Sequence, residues 1–473
     1  MINENRRKHP STPRQGTDQP ALRRGLILIA VTAGYFLVLL DLTVINVTLP
    51  TIGAELGASV ADQQWVIDAY TISVASLLLA GGKLGDLYGN KRVITLGMVV
   101  FGLSSLACGL APTSGTLIGF RVVEGIGAAA LLPGSLAIVT HTYHGDRAAQ
   151  ARAIGIWATV GSLAMPAGPL LGGLLVDFAS WRAVFLINLP IIVISLGVIL
   201  RLVRNTTDRD VSSLDLRGVV LGAAVLCALT ITFIEGGQLG WAAPTVLAAA
   251  AACPVLLLAF LYVEHVRTAP LLPLSMFRSM TASMANIVTV LMSLVLLGTI
   301  FMTTQYFQVV IGYSALTTGV LLLPLFGPLA ACSLVSGRLT DRRGPAFTAS
   351  AGLLLGVLGM LVLTRVTPAA AYFPVTFLAL LCVGAGIGLL TPAVVTAAMR
   401  EAPREHTGIA SGVNNTARQV GGAIGAALFG SIIGSPHQAE SFLHGFHVAA
   451  LCGAALWAVG LALTITLGRL SRI

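Results

Sequence analysis

Asp41, Asp68, Arg121 and Glu124 are the residues of this sequence best placed to do chemistry, because each stands inside a long apolar run. Insertion of such a charge at a bilayer centre costs roughly 2.5 to 3.5 kcal/mol, so the four need either partners or a task. Low dielectric favours the neutral form of an acid and a neighbouring guanidinium favours its charged form, so their balance decides when a proton is held. A carboxyl that holds a proton or a cationic solute, but not both, couples the movement of one to the other. Arg121 and Glu124 are three residues apart, on one face of a helix. The alternative is a buried ion-pair network that only fixes helix packing.

The elements that position these groups must be helices in lipid. Of 473 residues, 56% are hydrophobic and only 10% charged, with 52 glycines and a mean hydropathy of +0.88. A soluble chain carries about 25% charged residues, so this one cannot cover several domains with polar surface. The apolar runs continue over twenty residues or more, which fits spanning helices and disfavours the ten-residue alternation of a barrel. Fourteen spans are expected: 26 to 49, 63 to 82, 93 to 111, 114 to 138, 154 to 175, 182 to 203, 217 to 234, 243 to 263, 280 to 303, 316 to 337, 346 to 365, 373 to 399, 408 to 433 and 446 to 468. Residues 1 to 24 form a basic arm without an apolar run, expected to be disordered and not a signal peptide.

Charge reads out topology. Of 28 Lys and Arg, 24 lie in the arm, the even-to-odd loops or the C-terminal tail, whereas the opposite loops carry only Arg182 and Arg365. Both termini are therefore expected on the cytoplasmic side. The net charge of +9 has no soluble surface on which to build a nucleic-acid site. All six cysteines fall in apolar runs without metal-type spacing, no GxxxxGK[ST] phosphate loop occurs, and the histidines at 437, 444 and 447 are too widely spaced for a metal site. No cofactor, metal or enzyme activity is expected. At 1.5 Å per residue, Asp41 lies about 13 Å from the end of its span, and Asp68, Arg121 and Glu124 roughly 8 to 15 Å from theirs, so all four share one layer.

Two echoes divide the chain. Gly82, Asp86 and Gly89 recur as Gly337, Asp341 and Gly344 at an offset of 255; Gly125, Gly127 and Pro133 recur as Gly384, Gly386 and Pro392 at 259. Near-equal offsets imply a duplicated six-helix unit: a first bundle over 25 to 204, two inserted helices at the periphery over 205 to 266, and a second bundle over 267 to 473. The fold class is all-α membrane protein, two pseudo-symmetric six-helix bundles plus two peripheral helices.

The second half carries no acid in the matching layer, so it is expected to offer neutral contacts to a solute. Asn286, Thr289, Ser293, Thr304 and Gln308 would make one polar stripe, facing Trp65 with Asp41 and Asp68, unless the stripe only bonds neighbouring helices. Gly82, Gly85, Asp86, Gly89 and Arg92, with Asp341 in the second copy, read as a conformational gate. Asp86 would latch onto the helix start near Thr407 and Gly408, or the segment would be only a tight charged turn. Gly168, Pro169 and Gly172 read as a kinked, closely packed stretch of helix. Arg418 is expected to satisfy backbone carbonyls or a lipid phosphate, and Trp181 and Trp241 to anchor the interface.

LDLTVINVTLP (40 to 50), the loop glycines with Asp86, RVVEGIG (121 to 127), GSLAMPAGPLLGG (161 to 173) and WRAVFLINLP (181 to 190) occur in one order on the expected spans. In these the sequence resembles the major facilitator superfamily, and within it the fourteen-span drug/proton antiporters of the quaternary-ammonium and methylenomycin-resistance type. The likeness covers 26 to 468. It implies a multi-pass protein of the bacterial cytoplasmic membrane, working as a monomer among lipids and exchanging protons for a small lipophilic solute by alternating access. It also ties Asp41 and Asp68 to cationic drugs, and makes the GSLAMPAGPLLGG run an antiporter signature. Glu124 stands where the family more often has glutamine; it either adds a titrating group or is permanently paired with Arg121. A proton-driven lipid or glycolipid flippase uses the same scaffold, and a channel or receptor fits the paired glycine loops less well.

Overall fold

The computed structural model describes residues 21–205, 215–267, 270, 272, 274, 277, 279–367, 372–400, 407–434 and 439–470. They form sixteen α-helices: α1 (Ala21–Leu56), α2 (Val60–Tyr88), α3 (Asn90–Gly109), α4 (Ser114–Thr142), α5 (Arg147–Phe178), α6 (Trp181–Leu186), α7 (Asn188–Leu202), α8 (Leu216–Leu239), α9 (Pro244–Val266), α10 (Met280–Gln305, continued by one wide turn over Tyr306–Val310), α11 (Ala315–Leu321), α12 (Leu323–Arg343), α13 (Pro345–Leu363), α14 (Tyr372–Arg400), α15 (Thr407–Ile433) and α16 (Ala439–Leu470). Taking α6 with α7 and α11 with α12, the rods follow the order of the fourteen expected spans. Thirteen are long and apolar enough to cross a membrane. The fourteenth is α15, whose first half carries Asn414, Asn415, Arg418 and Gln419. The arm over 1 to 20 lies outside the described residues.

Helix starts are set by local chemistry. Ser59 and Asp62 close a reciprocal capping box at α2, and Thr113 with Thr116 does so at α4. Asp146, Asp215 and Ser314 cap α5, α8 and α11 with side-chain oxygens that accept from the first turn. Polar residues mask the true lengths. Two expected loops are helical: α2 continues through Gly82 and Gly85 to Tyr88, and α12 through Asp341 to Arg343, so each connection shrinks to one glycine. Gly89 (φ +96°) and Gly344 (φ +86°) adopt the left-handed backbone that a side chain resists. Each donates its N–H four residues back, to Gly85 O and Thr340 O, both at 2.9 Å. These equivalent joints lie at the offset read from sequence.

Packing repeats as well. In the first half α2 packs on α4, α3 on α4, α1 on α5 and α7, and α3 on α7; in the second α12 packs on α14, α13 on α14, α10 on α15 and α16, and α13 on α16. Between the halves α2 runs along α15, and α5 meets α11. The inserted pair keeps to the expected periphery: of α9 only Val246 and Glu264 are buried. Helix α9 packs on α8, but α8 wedges against both α2 and α15, on the seam. Trp65 closes that wedge with Ile72, Leu226, Cys227 and Ala423.

Trp181 is not the expected interface anchor. It is fully buried, its Nε1 donating to Glu55 Oε2 at 2.9 Å while the Arg182 guanidinium stacks on it at 4.3 Å. Trp241 remains exposed.

A buried acid–guanidinium network and the seam between the halves

Helix α4 delivers Arg121 and Glu124 on one face, turned to α1 and α2. The Arg121 guanidinium is fully buried, and every partner it meets is named by the fold. Its Nη1 donates to Asp41 Oδ2 on α1 and to Glu124 Oε2 at 2.9 Å, and its Nε donates to the Val66 carbonyl at 3.0 Å. The Tyr70 ring lies under it at 4.2 Å, held by its own hydroxyl bond to Val38 O at 3.1 Å. The Cys108 thiol donates to Glu124 Oε2 at 3.6 Å. Three of the four charges expected to share a layer are thus in direct contact.

Charge counting gives this network its chemistry. Two carboxyls meet one guanidinium through the same nitrogen, and Asp41 Oδ1 and Glu124 Oε1 have no hydrogen-bond partner. Fully ionised, the buried trio carries one surplus negative charge. Leaving a charge uncompensated at a buried site costs several kcal/mol, so one proton shared between the two acids is the neutral solution.

Asp68 stands apart from this trio. It is fully buried, both carboxyl oxygens lack a hydrogen-bond partner, and no cation among the described residues pairs with it. Its neighbours along α2 define where it points. Gln64 Nε2 donates to Ala426 O and Ala427 O of α15 at 3.2 Å, Ile72 packs on Ala423, and Leu79 abuts Gly412. Residues 64, 68, 72 and 79 share that side of the helix, which sets the Asp68 carboxyl in the seam.

The polar stripe of α10 divides. Asn414 of α15 donates to Asn286 Oδ1 at 3.1 Å and Thr289 Oγ1 at 2.9 Å, so those two join helices within the second half. Gln308 donates to Val47 O at 2.8 Å, across the halves. The Ser293 and Thr304 hydroxyls are buried without partners. Sequence reasoning missed Gln63, whose Oε1 accepts from Gln305 Nε2 at 2.6 Å, again across the halves. Uncharged residues gave no signal against an apolar background, although four glutamines clustered near one end of two spans, Gln63 and Gln64 with Gln305 and Gln308, are unusual enough to have drawn notice.

The glycine run of α5 is explained by contact. A Cβ on Gly168 would meet the Val44 amide at 2.9 Å, and one on Gly172 the Val44 carbonyl oxygen at 2.8 Å. Gly173 faces the Leu316 amide at 2.7 Å, and the chain at Pro169 faces Gly319. Asp177 Oδ2 accepts from Leu316 N at 3.1 Å beside them. Helix α5 runs unbroken through Pro166 and Pro169, so the stretch serves close approach.

Around the expected gate, Lys91, Arg92 and Tyr88 are bonded to the end of α7 and the residues after it. Lys91 Nζ donates to Leu200 O at 2.7 Å, Arg92 N to Asn205 Oδ1 at 3.4 Å, and Asn205 Nδ2 to Tyr88 O at 3.3 Å. Gly85 packs on Asn90, Gly82 makes only an ordinary contact with Pro133, and Asp86 and Asp341 are exposed. The side chains of Thr407 and Gly408, the expected partners of Asp86, lie outside the described residues, as does His437.

The family model described as Major Facilitator Superfamily matches residues 31–426. The puromycin resistance protein pur8 of Streptomyces alboniger is 35% identical over 95% of this chain and 90% of its own length. The multidrug resistance protein Stp of Mycobacterium tuberculosis (strain CDC 1551 / Oshkosh) is also 35% identical, over 86% of this chain and 75% of its own. The methylenomycin A resistance protein of Streptomyces coelicolor is 34% identical over 93% and 90%. A crystal structure of a bacterial homologue of the human lysosomal transporter Spinster, inward-facing and unoccupied, superposes with a TM-score of 0.68 at 18% identity, covering 95% of this chain and 98% of that one.

Proposed function

This chain belongs to the Major Facilitator Superfamily, and from that premise we propose that it is a proton-coupled exporter of lipophilic, cationic drugs. Its relatives named for drug and antibiotic resistance support export of a small molecule. The observation that carries the coupling is the sharing of one Arg121 nitrogen by Asp41 and Glu124 in a site closed to water. That trio holds a proton at rest and releases it when its surroundings become polar. Asp68, without a counterion in the seam, holds either a proton or the cationic group of the cargo. The sequence holds no GxxxxGK[ST] phosphate loop, which supports a proton gradient over nucleotide hydrolysis as the energy source. One proton crossing 100 mV is worth about 2.3 kcal/mol.

The end of the bundle rich in Lys and Arg is the cytoplasmic one, with both termini there, and the membrane is the bacterial cytoplasmic membrane. On that orientation the contacts Gln63–Gln305, Gln308–Val47, Asp177–Leu316 and Pro169–Gly319 join the two halves at the outer side. Both halves belong to one chain, so a monomer suffices.

The test is uphill transport in proteoliposomes under an imposed pH gradient, with a dye cation as cargo. The expected result is extrusion that a protonophore abolishes and that Asp41→Asn eliminates, while downhill dye exchange persists in the variant. Uphill extrusion by Asp41→Asn refutes the assignment.

A further inference from the structure

Arg418 lies eleven residues into α15, about 16 Å from its start, and its charge is unaccounted for. Among the described residues no carboxylate forms an ion pair with it. Among the described residues it makes no hydrogen bond to a backbone carbonyl, and a depth of about 16 Å sets it away from lipid phosphate. Asp41 is engaged by Arg121, and Asp68 sits in the α2–α15 seam without a cation.

The fold aims Arg418 inward. Helix α15 packs on α2, α8, α10, α14 and α16. One turn beyond Arg418 on the same side, a Cβ on Gly422 would meet Leu297 of α10 at 2.7 Å and Thr71 of α2 at 3.9 Å. Arg418 therefore projects between α2 and α10, toward α1 and α5. Helix α1, which contacts both α2 and α10, carries Tyr35. Arg418, Tyr35 and Trp157 are each only half-buried.

Opposite the guanidinium is a fixed aromatic plate. Tyr35 stacks on Trp157 of α5 with ring centroids 4.0 Å apart and planes 19° from parallel. The Trp157 indole donates to Ser135 Oγ at 3.1 Å, and the Tyr35 ring lies against Gly161, where a Cβ would come within 2.9 Å of its Cζ. A guanidinium with unmet donors beside a preorganised apolar plate is the chemistry that recognises an aromatic acid.

We propose that Arg418, Tyr35 and Trp157 form a cargo subsite for aromatic carboxylates, the guanidinium taking the carboxylate and the stacked rings the apolar body. It rests on the export reading above and extends the cargo to compounds with an acidic group, distinct from the cationic group met at Asp68.

The test is binding to the purified full-length chain in detergent, using 2-naphthoate and its uncharged methyl ester as probes. The wild type is expected to bind the acid about tenfold more tightly than the ester. In Arg418→Gln that ratio falls to about one; in Arg418→Lys, which keeps the charge but loses the planar fork, it falls part of the way; Arg365→Gln, on an exposed turn, keeps the wild-type ratio. A wild type with no preference for the acid, an Arg418→Gln that keeps the preference, or a parallel loss of acid and ester overturns the subsite. Arg418→Lys serves if the glutamine variant does not fold. Dye-cation extrusion by wild-type proteoliposomes separates the outcomes: extrusion without acid preference sinks the subsite alone, and no extrusion sinks the export reading whatever the probes do.

Discussion

At the scale of single residues, the account turns on which buried charges are compensated. Removing Arg121 leaves two acids with no cation, so Arg121→Ala is expected to lose about 3 to 5 kcal/mol of stability in thermal unfolding. Adding Glu124→Gln to it restores part of the loss, a coupling that a double-mutant cycle reads directly. If the two changes are additive, Arg121 and Glu124 do not form a unit. Asp68 has no partner to lose, so Asp68→Asn is expected to leave the melting temperature within about 2 °C while lowering apparent affinity for a dye cation and sparing a neutral drug. Equal loss for both cargos argues against a cation site. The trio was legible in the sequence because helix register and depth bring Asp41, Arg121 and Glu124 together. Separation of Asp68 from them was not, since depth alone says nothing about which way a helix is turned. The direction in which Arg418 faces was not legible for a related reason: only the packing of α15 sets it.

At the scale of elements, the apolar runs fix the number and order of the rods, and Gly89 and Gly344 mark equivalent joints of a repeated unit. Helix ends were legible only where caps or glycines announce them. Polar residues of α2 and α12 beyond the hydrocarbon read as loop, yet the backbone stays helical to Tyr88 and Arg343, because leaving the lipid removes the need for apolar side chains without breaking hydrogen bonds. The wedge of α8 was invisible, for its apolar surface matches lipid and protein equally well. Close approach of α5 and α11 gives an element-scale prediction. A side chain on Gly319 collides with the chain at Pro169, so Gly319→Val is expected to part these helices. Disulfide formation between Asp177→Cys and Ser314→Cys should then drop severalfold relative to the same pair with Gly319; unchanged yield means that the contact is not tight.

At the scale of the whole molecule, the halves meet along α2 and α15 and through a clasp of uncharged side chains, Gln63 with Gln305 and Gln308 with Val47. Neutral hydrogen bonds of about 1 kcal/mol each hold such a face without trapping it. Alternating access requires this clasp to open in every cycle, so a Gln63→Cys, Gln305→Cys disulfide is expected to stop transport until it is reduced; full activity of the oxidised pair contradicts rocking of the halves. Coupling of that motion to the buried trio is the central claim, and proton release on cargo binding tests it most directly. In weakly buffered detergent solution at neutral pH, a dye cation added to the purified protein is predicted to release about one proton per molecule bound, and none from Asp41→Asn. Dye binding without proton release, or undiminished release from Asp41→Asn, contradicts the account.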